Sequence, residues 1–452
     1  MRMEDMIMVS VDDHVVEPPH LFTTHAPAKY RDRMPQFKVR DNGTNAWEFE
    51  GLELSNIALN AVAGRKKEDY RAEPTGFDQV RKGTWDAKAR LGEMNVAGQL
   101  AGLNFPSLFG MQGQGLLPVA NKELAEIVIQ SWNDWHIDDW CATAPGRFIP
   151  CAQVPLWDPQ LAAKEALRVV KKGCHAITFL PNPFQEGCGT FHDGSWDPLF
   201  KVCDENEIVV CLHFADSRAA ICSPDTPLNA WITNMQPTLM MNASDLLFSP
   251  ILRQFKNIRF ALSEGSIGWV PYWLERIDQV HGIHSGWTNQ HFDGLPSDLF
   301  KKHIQVCFIQ DNTGIKLRHD IGIGNITWEG DYPHADSVWP NGPEVLWPGV
   351  KDLPDDEINK ITFENACRWY NFDPFKYEKR EESTVGALRA KAKAEGVDLT
   401  PLDLQGKGSW ARHDDGKPIS VRDMMVQMQE MGSMSSKQGK AMADGGKART
   451  EA

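Results

Sequence analysis

Eight short apolar runs, most of them separated by helical patterns, predict an α/β fold of the parallel (β/α)8 barrel type. Two further observations support it. The runs are nearly continuously apolar, as strands buried on both faces are. Acidic or imidazole side chains stand at the carboxyl ends of five of the eight runs, the end at which such barrels carry their active sites. An open, doubly wound sheet is the alternative. The glycines at 110, 113 and 115 do not have the spacing of a dinucleotide-binding loop and give that alternative no support.

Strand one is expected at about Ile7 to Val11 and ends in Asp12-Asp13-His14. The stretch from about 21 to 92 is rich in charges and turn residues and reads as an irregular insertion. Strand two follows within Ala97 to Phe105. Asn121 can cap a helix whose apolar residues, Leu124, Ile127, Val128 and Trp132, recur at helical spacing. Strand three is placed near Phe148 to Pro155, and a helix from Asp158 is stopped by Gly173. Strand four is His175 to Pro181 and strand five Glu207 to Ala215. A second insertion, about 218 to 249, is apolar for a loop and suggests a lid or an interface with a second copy. Strands six, seven and eight are Asn257 to Gly265, Ile304 to Asp311 and Asn325 to His334.

The barrel is therefore expected over residues 1–375, distorted by long insertions after strands one and five. A C-terminal extension occupies 376–452, where apolar periodicity mostly fades. The exception is Val421, Met424, Met425, Met428 and Met431, an amphipathic helical stripe that calls for docking on the body or on a second subunit. The end, Gly432 to Ala452, has the composition of a disordered tail.

Composition narrows the partners. A formal charge of −14 over 452 residues disfavours nucleic acid and anionic membrane. The longest uncharged stretch, Val96 to Asn121, holds five glycines and two prolines and is no membrane span. Nine cysteines without a C-x-x-C pair suit a reducing compartment. With Glu4 and Asp5 where an export signal would be apolar, a cytoplasmic enzyme is expected, acting on a small molecule as a homodimer or larger homo-oligomer.

The candidate site follows from the strand ends. Strand one offers Asp12 and His14, which share a face because they are two apart. Strand five offers His213, strand six Glu264, strand seven Asp311, and strand eight Asp331 with His334 three residues on. Carboxylates and imidazoles meeting on one rim are a metal-ligand set. All of these rim residues are eligible as ligands at this point. Asp331, Glu264 and His334 are the candidate catalytic groups, and Asp311 a supporting partner. Arg65 and Trp339 are candidate substrate contacts, and His175, at the far end of its strand, is read as structural.

These motifs resemble a known family. VDDHVVEPP (Val11 to Pro19), His213, SEGSIGWVPYWLERID (Ser263 to Asp278), GDYPHADSVWP (Gly330 to Pro340) and ENACRWYNFD (Glu364 to Asp373) together resemble the amidohydrolase superfamily, in the branch of the aminocarboxymuconate-semialdehyde decarboxylase-related amidohydrolases. The resemblance runs from about Val9 to Phe375. It implies metal ligands after strands one, five, six and eight, here Asp12, His14, His213, Glu264 and Asp331, with Asp331 both binding the ion and handling a proton. Two departures stand out. The family's first-strand H-x-H is Asp12-x-His14 here, and Glu264 stands where strand six usually brings a histidine. Strand four ends Phe179-Leu180-Pro181, without the lysine that bridges two metals in other branches. Glu264 leaves a different carboxylate-bridged pair open.

A divalent ion is therefore expected, zinc first, with manganese or iron as alternatives. The reading taken first is hydrolysis of an amide, ester, lactone or thioester, with Asp331 or Glu264 accepting the proton of water. The alternative is non-oxidative decarboxylation of an aromatic or unsaturated acid, and a non-catalytic binding barrel comes third.

Overall fold

The structure, a computed structural model, describes residues 1–71, 74–214, 222–402 and 416–430. All eight expected barrel strands are present: β1 (Val9–His14), β2 (Ala101–Phe105), β3 (Phe148–Ile149), β4 (Ala176–Phe179), β5 (Val209–His213), β6 (Arg259–Ser263), β7 (Ile304–Phe308) and β8 (Ile326–Trp328). Every ladder among them is parallel, and strands adjacent in sequence are adjacent in space. One ladder set joins β1, β2 and β3, and the other joins β4 through β8.

Isolated backbone hydrogen bonds, outside the ladders, cross the two seams. Ala152 N donates to Ala176 O at 3.0 Å and Thr178 N to Ala152 O at 2.9 Å, linking the end of β3 to β4. The sequence suggests a strand continuing to Pro155, but Pro150 and Pro155 have no N–H to give a ladder, and β3 is two residues long. Between β8 and β1, Asp331 N donates to Asp12 O and His14 N to Tyr332 O, both at 2.7 Å. The register of β1 against β2 slips between Ser10 and Asp13, a bulge at the point where the strand begins to carry polar groups.

The barrel strands contribute a set of small buried side chains, Ala101, Cys151, Ala176, Cys211, Ala261 and Cys307. That leaves space at the base for Phe363, Trp369 and Tyr370, which close the end opposite the site. A larger apolar cluster lies between the strands and the surrounding helices, and a third lies under the first insertion.

Both insertions differ from the expected loops. The first contains a three-stranded antiparallel sheet, Gln36–Val39, Asn45–Phe49 and Leu52–Leu54, packed through Trp47 onto Phe22. Lys38, Glu48 and Glu53 are the polar members of an alternation with only two apolar residues per face in each strand, too short to stand out in the sequence. The second insertion folds as two helices, Leu228–Met235 and Pro237–Phe248.

The C-terminal extension also holds more structure than its composition suggests. Val385–Glu395 is a helix capped by Thr384 and ended by Gly396, packed on the helix Ala87–Ala97. Only Val385, Leu388 and Ala392 are buried on it, too few for a clear periodic signal. Val421, Met424, Met425 and Met428 of the stripe lie on the helix Val421–Glu430, which docks on its own chain: Val421 and Met425 cover Trp231 of the second insertion, and Met431 lies outside the described residues. The expected disordered tail lies outside the described residues. Among those described, no helix is long and apolar enough to cross a membrane.

Candidate metal centre

The bulge in β1 and the first turns after β5, β6 and β8 bring Asp12, His14, His213, Glu264, Asp331 and His334 together. His14 Nε2 lies 3.3 Å from Asp12 Oδ1 and 3.2 Å from Asp331 Oδ1. His213 Nε2 lies 3.4 Å from Asp12 Oδ2 and 3.2 Å from Glu264 Oε2. His334 Nδ1 lies 2.9 Å from Asp331 Oδ1, and its ring stacks on His14 with centroids 3.8 Å apart. The five expected ligands therefore converge, and so do the three expected catalytic groups.

Local backbone geometry aims these side chains. Glu264 and Asp331 adopt left-handed conformations, with φ of 60° and 50°. Each costs about 1–3 kcal/mol for a residue with a side chain. The turn at Asp331 is held by Tyr332 N donating to Asp13 Oδ1 at 3.1 Å and by Val62 and Ala63 of the first insertion donating to Pro333 O. The loop after β6 is fixed by Asp311, whose carboxylate accepts from Ile267 N, Gly268 N and Gly314 N. Asp311 thus supports the loop that carries Glu264 and does not itself enter the donor cluster.

The site's own lone pairs test whether it fits a cation. Both carboxylate oxygens of Asp12, both of Asp331, and Nε2 of His14 and of His213 are buried without a hydrogen-bond partner. Such groups cost free energy unless something pairs with them. His213 Nδ1 is engaged by the carbonyl of Phe214, which orients Nε2 into the cluster, as ligand histidines are commonly held. A divalent cation fits this donor set.

The electrostatics point the same way. Burial drives the carboxyl of Asp331 well above the ordinary range, and the charges of Glu264, Asp12, Asp336 and Glu329 add to the effect. Burial also raises Glu264, to about 7, against the pull of His213. Burial lowers His14 to about 4 and sends His334 well below its usual value, so both rings are neutral near pH 7. Burial opposes a charge on His213, but Asp12 and Glu264 outweigh it and raise that ring well above its usual value. Two carboxylates 4 Å apart repel by about 4 kcal/mol at an effective dielectric of 20. A bound cation relieves that repulsion.

Two groups in this cluster have no counterpart in the sequence reading. Glu329 is buried and its Oε2 accepts from Glu264 N at 3.1 Å and from Cys307 Sγ at 2.6 Å. Glu329 precedes Asp331 by two residues, so strand parity could have found it. Cys307 is indistinguishable in sequence from a core cysteine. Arg65 and Trp339 lie outside the donor cluster. Arg65 is buried and donates to Gln79 O at 2.8 Å, and the Trp339 indole N–H donates to Glu93 O at 2.9 Å beneath the Arg81 guanidinium.

Known proteins carry the same architecture. The amidohydrolase family model matches residues 24–372. An amidohydrolase from Mycobacterium avium subsp. paratuberculosis superimposes with a TM-score of 0.63 at 17% identity, over 80% of this chain and 99% of that one. The 5-carboxyvanillate decarboxylase of Novosphingobium aromaticivorans, complexed with manganese and 4-hydroxy-3-methoxy-5-nitrobenzoic acid, gives 0.56 at 17% identity, over 82% and 99%. The 2,6-dihydroxybenzoate decarboxylase from Rhizobium gives 0.52 at 16%, over 81% and 99%. The chain belongs to the amidohydrolase family, with a (β/α)8 barrel, and is a metal-dependent enzyme of that superfamily.

Proposed function

From its membership of the amidohydrolase family, we propose that this chain is a metal-dependent, non-oxidative decarboxylase of an aromatic or unsaturated acid. The observation that carries the metal dependence is the set of buried, unpartnered donor atoms of Asp12, His14, His213 and Asp331. Support for carbon–carbon cleavage comes from the manganese-bound decarboxylases of hydroxybenzoic acids that share the fold. This reorders the two chemistries expected from the sequence, in which hydrolysis came first. Oxygen-rich ligation and those manganese complexes also favour manganese over zinc.

Asp12, His14, His213 and Asp331 would hold the ion, with Glu264 beside them. When bound, the ion supplies positive charge to a substrate carboxylate and a neighbouring oxygen. The residues of the chain then have separable tasks. Asp331, which stands at the ion and 2.9 Å from His334, supplies the proton destined for the substrate carbon. As the bond to the carboxylate breaks, its electron pair stays on that carbon, takes up the proton from Asp331, and carbon dioxide leaves. His334, neutral and 2.9 Å from Asp331, orients that carboxyl and lies on the path by which it regains a proton. The stacked rings of His14 and His334, with Phe105 against His14, give the pocket an aromatic wall.

Hydrolysis is the second reading, and Glu264 is the observation that favours it. A carboxyl raised to about 7 and placed 3.2 Å from His213 is a competent general base. The test is to purify the chain, measure bound metal, and present hydroxybenzoic acids alongside aryl esters, amides and thioesters. Release of carbon dioxide that stops on chelation and returns with manganese supports the proposal. Release of an acid with an alcohol, amine or thiol replaces it with hydrolysis. A chain that binds no divalent metal sinks both.

A further inference from the structure

We infer that the C-terminal extension forms the outer wall of the substrate site, and that Ile419 and Met424, with Leu59 of the first insertion, set how large an acid the site accepts. The inference rests on the small-acid reading above and adds to it residues far in sequence from the metal-binding motifs.

Topology puts the extension there. The two insertions leave the carboxyl ends of β1 and β5, at the end of the barrel that carries the metal centre. Strands adjacent in sequence are adjacent in space, so β1 and β5 stand on opposite sides of the eight-stranded barrel. Residues 419–425 reach both insertions. On one side Leu228 N donates to Ile419 O and Val421 N to Thr226 O, both at 2.9 Å, and Val421 and Met425 cover Trp231. On the other side Ile419 and Met424 belong to one apolar cluster with Leu59. A segment that reaches both sides crosses the mouth between them.

Both footings of this crossing stand on the loops that carry the donor cluster. Leu59 lies three residues before Val62, and Val62 N and Ala63 N donate to Pro333 O at 2.8 and 2.9 Å. Pro333 lies between Asp331 and His334. In the second insertion Gln236 Oε1 accepts from Ser266 Oγ at 3.2 Å, and Leu239 packs so closely on Gly265 that a Cβ there would meet its Cδ1 at 2.7 Å. Gly265 follows Glu264 directly.

The side chains of the crossing divide by task. Val421, Met425 and Met428 are buried and hold the helix down. Leu59, Ile419 and Met424 are only half-buried and sit apart from the barrel cores. Half-buried apolar groups at the mouth of a site are the surface that the apolar part of a ligand covers, and methionine adapts its shape to what it meets. An acid whose carboxylate faces the metal centre extends its far end toward this wall.

The experiment reads binding, not turnover, on the full chain loaded with manganese. Salicylic acid is compared with 2-hydroxy-4-phenylbenzoic acid, whose phenyl group stands para to the carboxylate and points away from an ion that holds it. Affinities are taken from the manganese electron paramagnetic resonance signal. Met424→Ala should improve the affinity for the phenyl acid relative to salicylic acid by about fivefold or more, and Met424→Trp should worsen the same ratio by as much. Val426→Ala, on the exposed side of the same helix, should leave the ratio unchanged. Ile419→Ala is the second variant should Met424→Ala fail to fold, and circular dichroism reports folding for each. A purely structural role would shift both acids together. One ratio shared by all folded variants overturns the inference and leaves the proposed function standing. A shifted ratio alongside release of an alcohol, amine or thiol in place of carbon dioxide replaces the decarboxylase reading and keeps the wall. A wild-type chain that takes up no manganese, or binds neither acid, overturns both.

Discussion

Asp12 and Asp13 are neighbours on one strand, both buried, and the structure treats them in opposite ways. Asp13 faces outward from the barrel into the seam between β1 and β8. It accepts hydrogen bonds from Gln99 Nε2 at 2.7 Å, Ser10 Oγ at 3.1 Å and Tyr332 N at 3.1 Å. Asp12 faces inward, and neither of its oxygens has a hydrogen-bond partner. Histidines differ in company rather than in burial. His136 is a buried core ring stacked on Trp132 with centroids 4.7 Å apart, whereas His14 and His213 present Nε2 to a ring of carboxylates. The comparison teaches that burial does not mark a functional group here. Several unpartnered donor atoms converging on one another do, because a fold retains that cost only where a ligand repays it.

The largest test of the inner face is His213→Ala. It should weaken manganese binding by at least about 100-fold, more than the loss of an outer partner does, and abolish turnover. Dialysis with elemental analysis checks the first and carbon dioxide release the second. Full activity in this variant would end the division between the two faces.

Asp331→Asn separates binding from proton handling. Metal content should stay close to that of the wild type, while turnover falls by about 10²–10⁴, the usual contribution of a positioned acid or base. Equal loss of metal and turnover would make Asp331 a ligand and nothing more.

The outer face predicts a loss of stability without loss of metal. Asp13→Ala leaves Gln99 and the Tyr332 amide without their acceptor and should cost about 1–3 kcal/mol in urea unfolding. Asp13→Asn should cost less, since burial already raises this carboxyl to about 7 and a neutral amide can still accept. Folded Asp13→Ala with an empty metal centre would show that the two faces are not independent.

The smallest effect concerns pH. Burial lowers His136 to about 3. Below its ordinary value the unfolded chain takes up a proton that the folded chain refuses, so stability falls as pH drops from about 6.5 toward 3. One pH unit into that window corresponds to about 1.4 kcal/mol. Urea midpoints between pH 5 and 7 should show this slope in the wild type and a flatter one in His136→Gln. An unchanged slope would mean that His136 is protonated in the folded core.

The C-terminal extension shows where sequence patterns carry information. The stripe Val421, Met424, Met425 and Met428 gives a helix because its spacing matches one turn after another. The pattern leaves open what the helix covers, and the structure answers with Trp231 of the same chain, anchored by Leu228 N donating to Ile419 O at 2.9 Å. The sheet at residues 36–54 is obscured for the opposite reason: its strands are three to five residues long, too short for a repeating pattern to build up.

The sequence by itself determined the barrel, the order of its strands, and the residues at their carboxyl ends. Strand period and apolar runs are local properties, and the barrel's connectivity then fixes which ends meet. Asp12, His14, His213, Glu264 and Asp331 were legible for that reason. Strand parity already put Asp12, and not Asp13, on the face of His14; only the tertiary structure showed what engages Asp13, the Gln99 side chain and the Tyr332 amide of the seam. It alone placed Glu329 and Cys307 beside Asp12, across three strands. That contact depends on side-chain reach inside a closed space, which no spacing along a single chain records.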